Sequence, residues 1–475
     1  MPAYELVMGL ETHVRVKSET KMFCSCRNAT ELADDANEHT CPFCMGFPGA
    51  LPRLSEAVVD LGVRAGHAMK CAINPESIFD RKSYFYPDLP AGYQITQLFT
   101  PIAVDGTIDA FVGDKLKTFR IERMHLETDA GKLVHAGSKS LIDYNRAGSP
   151  LMEIVTKPDF RTREEVLAYL EELQKLLRFA GASDADMEKG QLRCDVNISI
   201  RKPGEDVLNN RVELKNLNSF SAIGRAIEHE YRRQVEIVES GGTVGQETRG
   251  WDDEKGTSSP QRSKEDAMDY RYFPEPDLPP LVLSTEYIEV RKLDDRPIDR
   301  RIRYLSEYRL LPDDARILSR DRETSDYYDE LVRLSGDAKK SCSYLTTVLF
   351  ALMDASESSV TLATLRFVPE ELARVIAMVT ANELSSTNSK AVVETLFTEG
   401  GKADEIVDRL GLRQNNDTSA LEAVVDRVIA ENAEQVAEYR AGNERVFGFL
   451  VGQCMKASAG QGNPKIFNEL LKAKL

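Results

Sequence analysis

Between Glu5 and Lys17 the side chains alternate. Leu6, Met8, Leu10, Val14 and Val16 are apolar, with Thr12 among them, while the intervening set, broken only by Val7, runs Glu5, Gly9, Glu11, His13, Arg15, Lys17. This period of two predicts a half-buried strand with Glu11 and His13 as neighbours on its polar face and open space beside Gly9. The alternation returns at Arg193–Arg201, where Cys194, Val196, Ile198 and Ile200 oppose Asp195, Asn197 and Ser199, and at Arg211–Lys215, where Val212 and Leu214 oppose Glu213 and Lys215. Thr118–Met124 is a further expected strand. Helical spacing appears over Ser55–Met69, Thr162–Ala180 and Ser221–Ser240. The second of these buries Val166, Leu170, Leu173 and Leu177, with Thr162 and Glu165 as a capping box and Gly181 as the stop. Beyond about Arg296 strand patterns vanish and helical ones remain, as in Ser341–Met353 and Pro369–Val379, with a break at Glu399-Gly400-Gly401 before a last helical segment.

The polar faces of these strands are acidic. Glu11 with His13, Asp195, and Glu213 each sit on one, and Glu127 and Asp129 end the strand that starts at Thr118. On separate surfaces they would be ordinary solvated charge. Brought together, they would need a cation to neutralise them, and carboxylates with one imidazole suit a divalent ion.

The chain has 475 residues, enough for about three domains. Its 77 acids against 61 bases give a net charge of −16, which argues against nucleic-acid binding over the whole surface but not against a local basic patch. No apolar run approaches the ~18 residues that span a bilayer. No basic region followed by an apolar core opens the chain, so a cytoplasmic protein without a secretory leader is expected. Four of the eight cysteines fall in Cys24-Ser25-Cys26 and Cys41-Pro42-Phe43-Cys44. In a reducing compartment two such pairs predict a closed four-thiolate zinc site rather than disulfides, tying down a loop over residues 23–45 beside the first strand.

Phe79–Gln97 crowds aromatic, basic and proline residues together. It reads as a loop, packed by its own rings or binding a substrate through base stacking and phosphate contacts. Asp269–Asp277 echoes that composition. From Val446 to the end there are four lysines and one acid, a local positive patch with glycines. Absent are a Gly-x-x-x-x-Gly-Lys-Ser/Thr phosphate loop, a Gly-x-Ser-x-Gly elbow and a His-Glu-x-x-His motif.

Gly9–His13, Phe79–Gln97, His125–Lys132, Leu192–Asn197, Glu213–Ser219, Tyr270–Asp277 and Gly448–Pro464 together resemble the B subunit of the bacterial tRNA-dependent amidotransferases, over the whole chain. The resemblance implies an α+β protein: a cradle-like catalytic domain over 1–295, an all-α domain over 296–402 and a small helical tRNA-contacting tail over 403–475. It implies ATP-dependent phosphorylation of the side-chain carboxylate of Glu-tRNA(Gln) or Asp-tRNA(Asn), then displacement of the phosphate by ammonia. An A subunit would release that ammonia from glutamine, and a C subunit would clasp the other two. Glu11, His13, Glu127 and Glu213 are then the expected catalytic residues. The magnesium ligands would come from these four with Asp129 and Asp195. Thr128 stands where many relatives are expected to carry a second Glu, which leaves Glu127 and Asp129 as alternatives. Arg81, Lys82, Tyr84, Lys215 and Asn216 are the candidate ATP contacts, and Cys24, Cys26, Cys41 and Cys44 the structural zinc ligands. Two other classes stay open: a non-catalytic tRNA-binding scaffold and a free-standing metal-dependent hydrolase.

Overall fold

A computed structural model of the chain describes residues 4–28, 35–205, 207, 209–263, 269–293, 295–356, 360–414, 417–458 and 461–475; residues 29–34 of the expected zinc loop lie outside these. The chain forms two compact units, residues 1–299 and 300–475.

The first unit contains strands β1 (Glu5–Arg15), β2 (Ala72–Ile73), β3 (Glu76–Ser83), β4 (Tyr93–Thr100), β5 (Ala103–Val112), β6 (Lys115–Thr128) and β7 (Lys132–Ala136). After them come β8 (Lys139–Asp143), β9 (Pro150–Thr156), β10 (Leu192–Arg201), β11 (Val212–Lys215), β12 (Glu247–Asp252) and β13 (Thr257–Ser263). Nine of them make one mixed sheet in the order β13-β12-β11-β10-β1-β9-β6-β5-β2, in which only β11 and β12 pair in parallel. The first strand thus sits mid-sheet. Glu11 lies opposite Asp195 on one side and His13 opposite Glu153 on the other.

The apolar face of β1 packs with helices α1 (Glu56–Ala68), α2 (Arg163–Phe179) and α3 (Phe220–Glu239) in a single core. Phe119 of β6 stacks on Phe160 at 4.6 Å, and Tyr169 of α2 meets both rings edge-on. All three are fully buried. Burial of each ring is worth about 2–3 kcal/mol, which pins the sheet to α2. α2 begins at its expected cap: Thr162 Oγ1 accepts from Glu165 N at 3.2 Å. The reciprocal half of the box shifts by one residue, because the Glu165 carboxylate accepts from Arg161 N at 2.6 Å. Gly181 ends the helix with φ +69°, a conformation that favours glycine.

Two expectations need correction. Phe79–Gln97 is not one loop: β3 runs through Ser83, β4 starts at Tyr93, and only Tyr84–Gly92, which holds both prolines, connects them. This hairpin rests against β6 through Gln94 Nε2, which donates to Thr128 O at 2.8 Å, and Thr96 Oγ1, which lies 3.3 Å from Glu127 Oε2. The space expected beside Gly9 is lined by the backbone of Thr156 and Pro158, at ordinary contact distance from a Cβ built there.

In the second unit every regular element among the described residues is helical. Pro369 opens the helix Pro369–Thr380 at its first turn, as its fixed φ allows. The expected helix over Ser341–Met353 is present but contains a π-helical stretch, Tyr344–Leu349. One core here joins Tyr304, Tyr328, Leu345 and Val375 with Ala403, Ile406 and Val407. A separate core joins Leu421, Val425, Val428, Leu450, Cys454, Phe467 and Leu471. The helix after the Gly-Gly break therefore packs with the preceding helices, and the last core starts beyond it.

Candidate active site

The sheet face opposite α1–α3 opens into a cleft of about 440 Å³, roofed on one side by the β3–β4 hairpin. Its chemistry follows from strand parity. His13 Nε2 lies 3.9 Å from Glu11 Oε1, 3.5 Å from Glu127 Oε1 and 3.3 Å from Glu153 Oε2. The same Glu153 oxygen lies 3.4 Å from His125 Nε2, which is 3.5 Å from Glu127 Oε2. Two overlapping triads result, Glu11–His13–Glu153 and His125–Glu127–Glu153, each compact enough for its ligand atoms to share one ion. Neither His125 nor Glu153 was expected from the sequence.

The electrostatics of this cluster follow from burial and crowding. Burial opposes a charge on His125, yet its hydrogen bonds to Glu127 and Glu153 push its pKa up to about 9. His13 is raised in the same way: burial pulls down, and Glu153, Glu127 and Glu11 more than offset it. Burial would raise Glu127 and Glu153, but both imidazoles hold them below the usual carboxylate range. Glu11 goes the other way, raised by burial and by repulsion from Glu153. Three carboxylates around two imidazoles fit a divalent cation, since an ion there would relieve the crowding that raises Glu11 and would replace the protons on His13 and His125.

The remaining expected ligands are held elsewhere. Asp195 lines the cleft from β10, and Lys215 Nζ lies between it and Glu213 of β11, bonded to Asp195 Oδ2 and 3.1 Å from Glu213 Oε1. Glu213 also accepts from Thr248 Oγ1 at 2.8 Å. The Lys215 ammonium thus pairs with both carboxylates. Asp129 is paired with Arg193 at 3.3 Å and Arg146 at 3.4 Å. Of the alternatives around Thr128, Glu127 joins the triads and Asp129 does not. Thr128 turns its hydroxyl to the Ile95 backbone.

Among the candidate ATP contacts, Lys82, Tyr84, Lys215 and Asn216 line the cleft. Arg81 does not. It points from the other face of β3 into a two-pronged pair with Glu275, at 2.6 and 2.8 Å, with Asp277 at 3.1 Å. Adjacent residues of a strand face opposite ways, so Arg81 and Lys82 cannot both serve the cleft.

The four loop cysteines converge. Cys44 Sγ is 3.4 Å from Cys24, 3.6 Å from Cys41 and 3.8 Å from Cys26, and none forms a disulfide. Four sulfurs at about 2.3 Å from a tetrahedral zinc lie about 3.8 Å apart. The set therefore fits that ion. Cys44 is lowered to about 5 by the hydrogen bond from Cys24 and by nearby Lys21, whereas burial and neighbouring sulfurs push Cys26 to about 11. A metal would be needed to hold all four as thiolates. Lys21 is fully buried and donates to His39 O at 2.8 Å, Tyr144 O at 3.2 Å and Cys44 Sγ at 3.5 Å. Phe23 packs edge-on against Phe43 and Phe79, which fixes the knuckle to β3.

The architecture and cleft define a class: an α+β protein whose catalytic-type sheet domain carries a carboxylate–imidazole cluster and precedes a helical region. Residues 6–289 match the family model of the GatB/GatE catalytic domain, and residues 326–475 that of the GatB domain. The chain is 44% identical over 482 residues to the B subunit of the aspartyl/glutamyl-tRNA(Asn/Gln) amidotransferase of Carboxydothermus hydrogenoformans, spanning 100% of this chain and 99% of that protein. It is 44% identical over 475 residues to the corresponding protein of Syntrophotalea carbinolica, which carries the same name, spanning 99% and 98%. The chain belongs to the family of amidotransferase B subunits. No helix among the described residues is long and apolar enough to cross a membrane.

Proposed function

We propose that this chain is the activating and amidating subunit of a cytoplasmic tRNA-dependent amidotransferase, assembled with an amidase A subunit and a C subunit. Its reaction phosphorylates the side-chain carboxylate of Glu-tRNA(Gln) or Asp-tRNA(Asn) with ATP, and ammonia from glutamine displaces the phosphate. The observation that carries this reading is the full-length likeness to relatives named as B subunits of that enzyme, combined with the double triad in the cleft. Phosphoryl transfer to a carboxylate brings two anions together. A magnesium ion held by Glu11, His13, Glu127 and Glu153 would offset that charge. Lys82 and Lys215 supply further positive charge at the cleft wall, while Tyr84 and Asn216 offer contacts for the nucleotide. The cysteine site is structural zinc, with no open position for chemistry.

The segments divide the work. Residues 1–295 activate and amidate, the helices over 296–402 connect them to the tail, and the terminal helices grip tRNA through the lysines beyond Val446. The test is the purified assembly with ATP, glutamine and each misacylated tRNA in turn. Glu11→Gln should abolish the phosphorylated intermediate while glutamine hydrolysis in the A subunit persists. An intermediate formed at the normal rate would favour a scaffold role, and turnover of simple phosphoesters by the isolated chain would favour a hydrolase.

A further inference from the structure

The cleft has a second pole. On β1 the polar face steps from Glu11 to His13 to Arg15, and on β6 from Glu127 to Asp129 just past the strand end. Each two-residue step moves about 7 Å along the sheet. On this side of the cluster β1 and β10 contribute the cations Arg15 and Arg193, and the chain past β6 contributes the acid Asp129. Arg193, which lies opposite His13 on β10, places one terminal nitrogen 3.3 Å from both oxygens of Asp129. Arg146 approaches the same carboxylate at 3.4 Å and is anchored by donating to Ala130 O at 3.0 Å and Gly131 O at 2.7 Å.

Two guanidinium groups thus share one buried carboxylate. Asp88, on the hairpin loop, is a second acid lining the cleft. Asp129 is 7% exposed, whereas the Arg193 side chain is 49% exposed and lines the open cleft. An arginine held by a buried acid, with about half of its side chain exposed in the cleft, is preorganised for an incoming anion, and planar forks match phosphate oxygens.

The geometry points to a phosphate-oxyanion subsite formed by Arg193 and Arg146, beside the Glu11–His13–Glu153 and His125–Glu127–Glu153 cluster. It takes a phosphate group of the substrate other than the one transferred, and so fixes where the reacting carboxylate lies relative to the cation-binding end. This rests on the proposed activating role. The same oxyanion chemistry comes from two sources, the polyphosphate of ATP or a backbone phosphate at the aminoacylated end of the tRNA, and the test separates them.

The variants are Arg193→Gln, which keeps a polar partner for Asp129 but removes charge and fork, and Arg193→Lys, which keeps the charge alone. Both are assayed in the complete assembly, with folding checked by thermal melting. The first readout is binding of inorganic tripolyphosphate in the presence of magnesium, measured without turnover. Arg193→Gln should weaken it about 10-fold, the equivalent of losing one charge-assisted contact, and Arg193→Lys by less. A matching rise in the ATP KM with unchanged tRNA affinity assigns the subsite to the nucleotide. Weaker binding of misacylated tRNA with an unchanged ATP KM assigns it to the RNA phosphate. Unchanged tripolyphosphate, ATP and tRNA binding in a folded Arg193→Gln assembly would overturn the inference and leave the arginines as counter-charges to Asp129. Tripolyphosphate binding requires no chemistry, so a wild-type assembly that amidated no tRNA would sink the functional reading while still measuring the subsite.

Discussion

Glu153 is the one carboxylate common to both triads, and its removal gives the sharpest test of the cluster. Its Oε2 reaches His13 at 3.3 Å and His125 at 3.4 Å. Burial alone would depress His125, yet its pKa stands at about 9 against 6.5 for a free imidazole, so Glu153 and Glu127 together supply more than the difference. Glu153→Gln removes one of the two hydrogen-bonded carboxylates and should lower the His125 pKa toward the free value. The sign for stability follows from linkage. A raised histidine stabilises the metal-free fold fully below pH 6.5, and that contribution, on the order of 3 kcal/mol, is lost as pH climbs through 9. The metal-free wild type should therefore melt at progressively lower temperature across that interval, and Glu153→Gln should show a flatter profile shifted toward neutral pH. The chain has only six histidines, so selective ring labelling and NMR titration in a chelator can follow His125 directly. Added magnesium should depress the apparent pKa of the wild type, because ion and proton compete for the same groups. A His125 titration still centred near pH 9 in the folded variant would refute the shared-carboxylate account.

Metal analysis should find about one zinc per chain, falling to background in a Cys41→Ser/Cys44→Ser double variant. Lys21→Met should destabilise the chain by about 3 kcal/mol, since it strips donors from two carbonyls and a thiolate, and denaturant melts with zinc bound will measure this. Deleting the tail from Thr418, where the last core begins, should leave glutamine hydrolysis intact, weaken binding of misacylated tRNA and flatten its salt dependence. Unchanged affinity in that deletion, with only thermal stability lowered, would make the tail a helical cap.

The strands that alternate were legible in the sequence, because one face of each meets the helices and the other the cleft. The first strand, α2 and α3 match their expected bounds to within a residue or two. Glu153 was hidden because β9 is buried on both faces and shows no alternation; the remaining signal was a single carboxylate within the apolar run Pro150–Thr156. His125 was missed because the expected strand stopped at Met124, while β6 continues to Thr128. That Lys215 sits against Asp195 and Arg193 against Asp129 was not legible, because contacts between strands cannot be read from one strand at a time. Reading Phe79–Gln97 as a loop also concealed the parity that turns Arg81 away from Lys82.

The Arg81–Glu275 pair has a consequence for biosynthesis. It joins positions 194 residues apart, and the same contact region pairs Phe273 and Pro274 with Arg81 and Asp80. A ribosome adding ~5–20 residues per second needs roughly 10–40 s to cover that interval. Throughout it, the hairpin that roofs the cleft has emerged without its clasp, with Phe85 and Tyr86 already among its exposed rings. The Arg81–Glu275 clasp on the hairpin therefore closes only after Glu275 has left the exit tunnel.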